Sequence, residues 1–390
     1  MKRLAIITTH PIQYNAPFFK LLAERKKIEI KVFYTWSQSK EGIKYDPGFG
    51  KNIEWDIPLL DGYNFSFVEN IASNPGSDHY NGIQNPTLLS EIKNWGANAV
   101  LVYGWSFKSH FAALRHFKKK LPVFFRGDST LLNETRGIKI IIRRIFLKYI
   151  YSYVDTAFYV GISNKNYYKA HGLNENQLVL MPHAIDNKRF ERNSKNYIAG
   201  EEIRKKYAIE KAATVFLFAG KLDVNKNVGL LINAFVSIKN EGCVLLIVGT
   251  GNEDTRLKEM AQNNTNVIFV GFVNQEDMPS LYAASNVFVL PSKGETWGLC
   301  INEAMAAGNA IIASDGCGAA ADLIQQGRNG FIFKNGNLAY LQNMLSYFIV
   351  HKNESLRMGK QSEQIIKKYD YNFDCEALEN TLNKISAELL

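Results

Sequence analysis

Residues Pro291 to Gly308, Pro-Ser-Lys-Gly-Glu-Thr-Trp-Gly-Leu-Cys-Ile-Asn-Glu-Ala-Met-Ala-Ala-Gly, constrain this chain more than any other stretch. They follow the apolar run Asn286–Leu290, which reads as a buried strand. The chain then turns through Gly294 and Gly298, and the pattern predicts a helix from about Leu299. Strand, glycine-bearing turn and helix N-terminus together present free amides and a positive dipole end to an anion. Two carboxylates sit here, Glu295 in the turn and Glu303 in the helix. Because Leu299, Cys300, Ile301, Ala304, Met305, Ala306 and Ala307 surround Glu303, the helix is apolar nearly all round and is expected to be buried. An ionised Glu in that setting is costly unless something satisfies it. A pair of ligand hydroxyls would do so, as would a nearby Lys or backbone amides.

The rest of the chain alternates in a way that suits such a motif. Apolar runs at Leu4–Thr8, Ile28–Tyr34, Ala99–Tyr103, Val123–Phe125, Thr156–Val160 and Val179–Met181 are separated by helical patterns such as 87–95 and 107–116. Thr214–Ala219, Val244–Val248, Val267–Val270 and Ala310–Ala313 repeat the theme. This βα alternation predicts an α/β fold with doubly wound parallel sheets. At 390 residues the chain is too long for one ordinary core and suits two domains. The polar, charged stretch Lys188–Lys205 reads as the linker between them. The expected division is 1–188 and 189–369, with a last helix at about 370–390 that returns to the first domain.

The Pro291–Gly308 segment resembles the Glu-x7-Glu signature of the retaining GT-B glycosyltransferases, in particular glycosyltransferase family 4. The resemblance implies two Rossmann-like domains facing a central cleft, and a nucleoside-diphosphate sugar as donor. Carried over by position, Glu295 contacts the transferred sugar and Glu303 holds the ribose hydroxyls. The backbone of Thr296, Trp297, Gly298 and Leu299 meets sugar and diphosphate. Gly220-Lys221-Leu222-Asp223-Val224-Asn225-Lys226 is similar to the family's Gly-Arg-x-x-x-x-Lys, whose two cations bind the diphosphate and stabilise the leaving group. Lys221 stands where the family has Arg, a point charge in place of a bidentate fork. Gly249 and Gly251 match the family's Val-Gly-x-Gly beside the nucleotide, and the Gly271–Val273 loop its base contacts.

In the first domain the match holds only in outline. His10 and Gln13 follow the first strand, at the sheet edge where α/β proteins bind ligands, and are expected on the acceptor side. Bulky Thr9-His10-Pro11-Ile12-Gln13-Tyr14 replaces the Gly-rich acceptor loop of many family members. The family's catalytic His is missing from the loop Arg126-Gly127-Asp128-Ser129. Asp128 or Arg126 is expected to take part of its role, unless His10 does. Asp128 reads equally well as a cap or Asx-turn residue. At the hinge, His183-Ala184 replace the family's Asn-Gly.

The implied activity is hexosyl transfer with retention to a hydroxyl of a glycan or lipid-linked acceptor, in cell-surface polysaccharide or glycoconjugate synthesis. No Asp-x-Asp occurs, in keeping with the family's metal independence, and no cofactor is expected. The other readings are a catalytically degenerate fold acting as a membrane-surface assembly factor, and a GT-B epimerase or phosphorylase.

The net charge of +9 is unevenly placed. Residues 1–190 hold 26 Lys and Arg against 15 Asp and Glu, and the remainder 20 against 22. Such asymmetry points to an anionic partner of the first half. No nucleic-acid module is visible, which favours anionic lipid over nucleic acid. Arg136, Lys139, Arg143, Arg144 and Lys148 lie among Ile, Phe, Leu and Tyr, with no acid between Glu134 and Asp155. That segment suits an interfacial helix, and equally a helix packing one side inward. The N-terminal apolar run is too short for a signal sequence and no run spans a bilayer, so the expected location is the cytoplasm, peripheral on the inner face of the membrane if the basic surface binds lipid.

Overall fold

The computed structural model describes residues 1–36, 43–46, 51–54, 56–132, 134, 137–239, 241–261 and 264–388. Arg136, counted above with the basic segment, lies outside the described residues, as does part of the long 36–82 connection. The chain divides into two compact units. The first comprises Met1–Lys44, Ile57–His183 and Tyr371–Leu390, the second Tyr45–Asp56 and Ala184–Asp370.

Seven parallel strands form the first unit's sheet, in the order Phe65–Phe67, Glu29–Tyr34, Arg3–Thr8, Ala99–Tyr103, Val123–Arg126, Thr156–Tyr159 and Leu178–Leu180. Leu4, Ala5, Ile6 and Ile7 are fully buried, as a strand covered on both faces requires. Strand order reverses beside Arg3–Thr8, which puts the Thr9–His10 loop at the switch point, where open α/β sheets bind ligands.

The last helix, Tyr371–Glu388, packs on Ala16–Glu24 of the same unit. Arg25 forks onto Glu379 (Nε to Oε1 2.7 Å, Nη2 to Oε2 3.0 Å) and Lys27 adds a third contact at 3.1 Å. Burial alone would raise the Glu379 carboxyl, but Arg25 and Lys27 outweigh it and hold it below its usual range.

His110 is fully buried beneath the switch point. Its Nδ1 faces the Tyr103 and Gly104 carbonyls at 3.0 and 3.1 Å and so carries the hydrogen, leaving Nε2 to accept from the Thr35 hydroxyl at 2.9 Å. Burial pushes this imidazole down to about 4. The unfolded chain takes up the proton as pH falls through about 6.5, while the folded chain refuses it until about 4. Stability is therefore intact above the unfolded value and lost between the two, by roughly 3 kcal/mol. Thermal melts from about pH 7 to pH 4 should show a shallower acid slope for His110→Gln than for wild type. Equal slopes would remove His110 as the cause.

In the second unit six parallel strands run in the order Val267–Gly271, Cys243–Val248, Thr214–Ala219, Val287–Leu290, Ala310–Ser314 and Gly330–Phe333. Numbered along the chain this is 3-2-1-4-5-6, the doubly wound dinucleotide-fold order, with its switch point between Thr214–Ala219 and Val287–Leu290. The stretch expected to be a polar linker is instead largely helix, Asn187–Phe190 and Ser194–Lys206. Asn193 caps the latter by accepting from the Asn196 amide. Gly200 lets it close on Met278–Ala283, where an added Cβ would stand 2.9 Å from the Ala283 carbonyl carbon. Arg204 reaches the Ala284 carbonyl (2.9 Å) and Asn286 Oδ1 (3.0 Å). Arg204 thus turns inward to backbone and Asn286, whereas Lys205 stays exposed and pairs with Glu202.

Candidate functional site

Two loops meet at the second unit's switch point, one leaving Thr214–Ala219 and one leaving Val287–Leu290. Asp223 Oδ1 accepts from the Asn225 and Lys226 amides, both at 2.9 Å, a side-chain turn that folds the first loop. Asn225 then donates to the Gly294 carbonyl at 2.6 Å, and its own carbonyl accepts from the Lys293 amide at 2.7 Å. These bonds lock the two loops together. Across them Lys226 Nζ pairs with Glu295 Oε2. Burial works against the Lys226 ammonium, yet the Glu295 charge outweighs it and the Lys pKa is raised, so the cation persists. Lys221 is half-buried in the same loop.

Gly298 sits in the left-handed region (φ 100°, ψ 64°) and begins the helix Leu299–Ala306 with no side-chain cap. The Ile301 amide donates to the Gly298 carbonyl at 2.9 Å, and no side chain caps the amides before it, the usual place for an anion. Glu295 is stitched to the neighbouring loop, its amide to the Gly316 carbonyl and its carbonyl to the Gly318 amide, both at 2.9 Å. Trp297 is buried and donates to Asn302 at 2.9 Å, so its indole anchors the turn. Glu303 is 4% exposed and accepts from the Tyr282 hydroxyl at 2.7 Å. Sequence reasoning gave no hint of Tyr282, which lies 21 residues upstream on another helix.

Gly249 and Gly251 follow Cys243–Val248 and come against the Lys221 loop. An added Cβ would stand 1.9 Å from the Gly220 carbonyl oxygen and 2.3 Å from that of Leu222, respectively. Val273 is half-buried just beyond Val267–Gly271, at the sheet edge two strands from the Lys221 loop. Lys221, Lys226, Gly249, Gly251, Glu295 and the Leu299 helix are therefore gathered around one switch point.

The first-unit residues divide differently. His10, half-buried, has Nδ1 2.9 Å from the Thr9 hydroxyl and its ring edge-on to Trp36 at 5.4 Å. Gln13 is half-buried in the same loop. Arg126, expected on the acceptor side, is 6% exposed and turned inward. It donates to the Met181 and Pro182 carbonyls at 2.6 and 3.0 Å and lies 3.9 Å from Asp374, bracing the last strand against the last helix. Two carbonyls and the nearby Asp374 carboxylate offset the cost of burying its charge. Asp128 remains half-exposed and faces His183 Nε2 at 3.7 Å. Burial pushes the His183 imidazole down, with Asp128 opposing and Arg126 assisting. His183 was noted in the sequence only as a departure at the hinge; the structure makes it the partner of Asp128.

Residues 200–365 match the family model described as Glycosyl transferases group 1. A sulfoquinovosyl transferase, SQD2 of Arabidopsis thaliana, is 26% identical over 165 residues, covering 42% of this chain and 32% of that protein. An alpha-monoglucosyldiacylglycerol synthase of Streptococcus pneumoniae is 32% identical over 139 residues, covering 34% of this chain and 32% of the synthase. The chain thus matches about a third of the length of each. The solved structure of Anabaena Alr3699/HepE in complex with UDP superposes with a TM-score of 0.74 at 15% identity, covering 98% of this chain and 100% of that one, a likeness of fold. By its sheets and these likenesses the chain has the GT-B fold, and its second unit matches the group 1 glycosyl transferases.

Proposed function

We propose that the protein transfers a hexosyl group, with retention, from a nucleoside-diphosphate sugar to a hydroxyl of a glycan or lipid-linked acceptor. The observation that carries this is the Lys226–Glu295 pair beside the uncapped Leu299 helix at the second unit's switch point. A diphosphate there meets a cation that burial has not discharged and helix-start amides that no side chain caps, preorganised charge that needs no reorientation as the leaving group develops. Lys221 supplies a second cation, and no metal enters this reading. Glu295 takes hydroxyls of the sugar and Glu303, oriented by Tyr282, those of the ribose. Asp128 with His183 and His10 form the acceptor-side polar groups, with Gln13 in the same loop. The diacylglycerol named in one relative supports a lipid-borne acceptor, and hence work at a cytoplasmic membrane face.

The testing experiment is a panel of nucleotide sugars scored by thermal stabilisation, followed by transfer assays with the best donor. A ligand at 100 times its Kd stabilises by about 2.7 kcal/mol. If none of the UDP-, GDP- or ADP-sugars shifts the melt, the reading fails. Within it, Glu303→Ala should raise KM for the donor at least roughly tenfold with a smaller effect on kcat, as expected when ground-state binding is lost. Tyr282→Phe should act in the same direction by less, about 1 kcal/mol for one hydrogen bond. A fall in kcat with KM unchanged would take Glu303 away from the ribose.

A further inference from the structure

The helix Ile138–Tyr151 carries six large apolar side chains outward. Ile138, Ile141, Ile142 and Ile145 are 58–74% exposed, and Phe146 and Tyr149 are about half exposed. On a 3.6-residue repeat Ile138, Ile142, Ile145 and Tyr149 form one stripe, with Ile141 and Phe146 on its two flanks. Directly opposite are Leu147, Ile150 and Tyr151, the buried residues that seat the helix on the first unit. Water-facing apolar residues in a contiguous stripe of this kind mark a binding surface.

The charges around the stripe say what covers it. Lys139 lies beside Phe146 and Lys148 beside Ile141, one on each flank, with Arg143 and Arg144 behind them. Arg144 pairs with Glu134 at 2.9 Å; no acid occurs between Glu134 and Asp155 to neutralise the other three. Just past the helix Lys118 pairs with Asp155, opening the run Lys118–Lys120 that lines a cavity of about 810 Å³ together with Lys384. A second copy of the helix would bring one cationic rim against another. An acyl-chain layer edged with phosphates takes up the apolar stripe together with the cations that flank it, Lys139 and Lys148, the long side chains reaching back to the headgroups. Among the described residues no helix is long and apolar enough to cross a membrane, so the contact is one that lies on the surface.

We propose that Ile138–Tyr151 is an interfacial docking helix for anionic lipid, sinking Ile138, Ile142, Ile145 and Tyr149 into the acyl boundary between Lys139, Arg143 and Lys148. The inference is independent of glycosyl transfer, and its test uses no sugar donor. The full chain is floated with vesicles of phosphatidylcholine alone or with phosphatidylglycerol added. Binding to the acidic vesicles and its weakening by salt are expected. Arg143→Glu with Lys148→Glu should lower that binding at least tenfold, and Ile142→Asp with Ile145→Asp should do likewise. All four positions are exposed, so thermal midpoints should stay within a few degrees of wild type. Equal binding to neutral vesicles would overturn the electrostatic half of the proposal. Undiminished binding by the Ile142→Asp, Ile145→Asp variant would overturn the helix assignment. Self-association lost in that variant, without vesicle binding, would assign the stripe to a second copy and overturn the lipid.

Discussion

Lys226→Ala should lower kcat by roughly 10²–10³, the range seen when one preorganised group facing a developing oxyanion is removed. The effect is expected in kcat and kcat/KM together, because in the proposed reaction the diphosphate gains charge as the sugar bond breaks. Two features make Lys226 the sharper choice than Lys221. It is held by the Asp223 turn and by Glu295 together, and its cation survives burial because Glu295 stands beside it. Since that pairing raises the Lys pKa above its unfolded 10.5, its stabilisation is complete below that value and is lost only as pH rises through the folded one. Melts between pH 7 and 9 should therefore show no slope from this pair. Lys226→Arg keeps the charge and should recover part of the rate, whereas a merely structural role would let Lys226→Met fold and turn over normally. Full turnover by Lys226→Ala, measured as donor-dependent nucleotide release, would end its assignment.

The sequence revealed the local pieces and hid the long-range partners. Apolar runs located the strands to within a residue or two, because strands buried on both faces have little freedom of composition. Ala99–Tyr103 and Thr214–Ala219 emerge with the expected bounds. The burial of Glu303 followed from its helical neighbours, yet its partner Tyr282 left no local trace. Lys226 and Glu295 are 69 residues apart, and only a family resemblance connected their loops. Arg126, expected on the acceptor side, is buried against carbonyls 55 and 56 residues onward, which no local pattern announced. Helix 138–151 shows the opposite limit. Apolar residues on both halves of its wheel left two readings open, and only packing could tell which half was covered.

Gly249→Ala should cost roughly 2–5 kcal/mol in stability of the second unit, combining backbone strain with steric overlap. Gly249 has φ +131°, a conformation that residues with side chains rarely adopt. Its amide donates to the Gly271 carbonyl at 2.8 Å, and the Gly220 amide donates to Val248 at 3.0 Å, so neither segment can move aside without breaking a bond. The new methyl would sit 1.9 Å from the Gly220 carbonyl oxygen, an overlap with backbone that no rotamer relieves. Gly336→Ala separates the two contributions. It has φ +79° with nothing within 4 Å of the added Cβ, so it pays strain alone, about 1–2 kcal/mol. The gap between the two variants in chemical denaturation measures the contact itself. Because Gly220 opens the loop that carries Lys221 and Lys226, the Gly249→Ala protein that remains folded should also bind donor more weakly. An unchanged denaturation midpoint would mean that the two loops part freely, and that backbone contact does not hold the cations at the switch point.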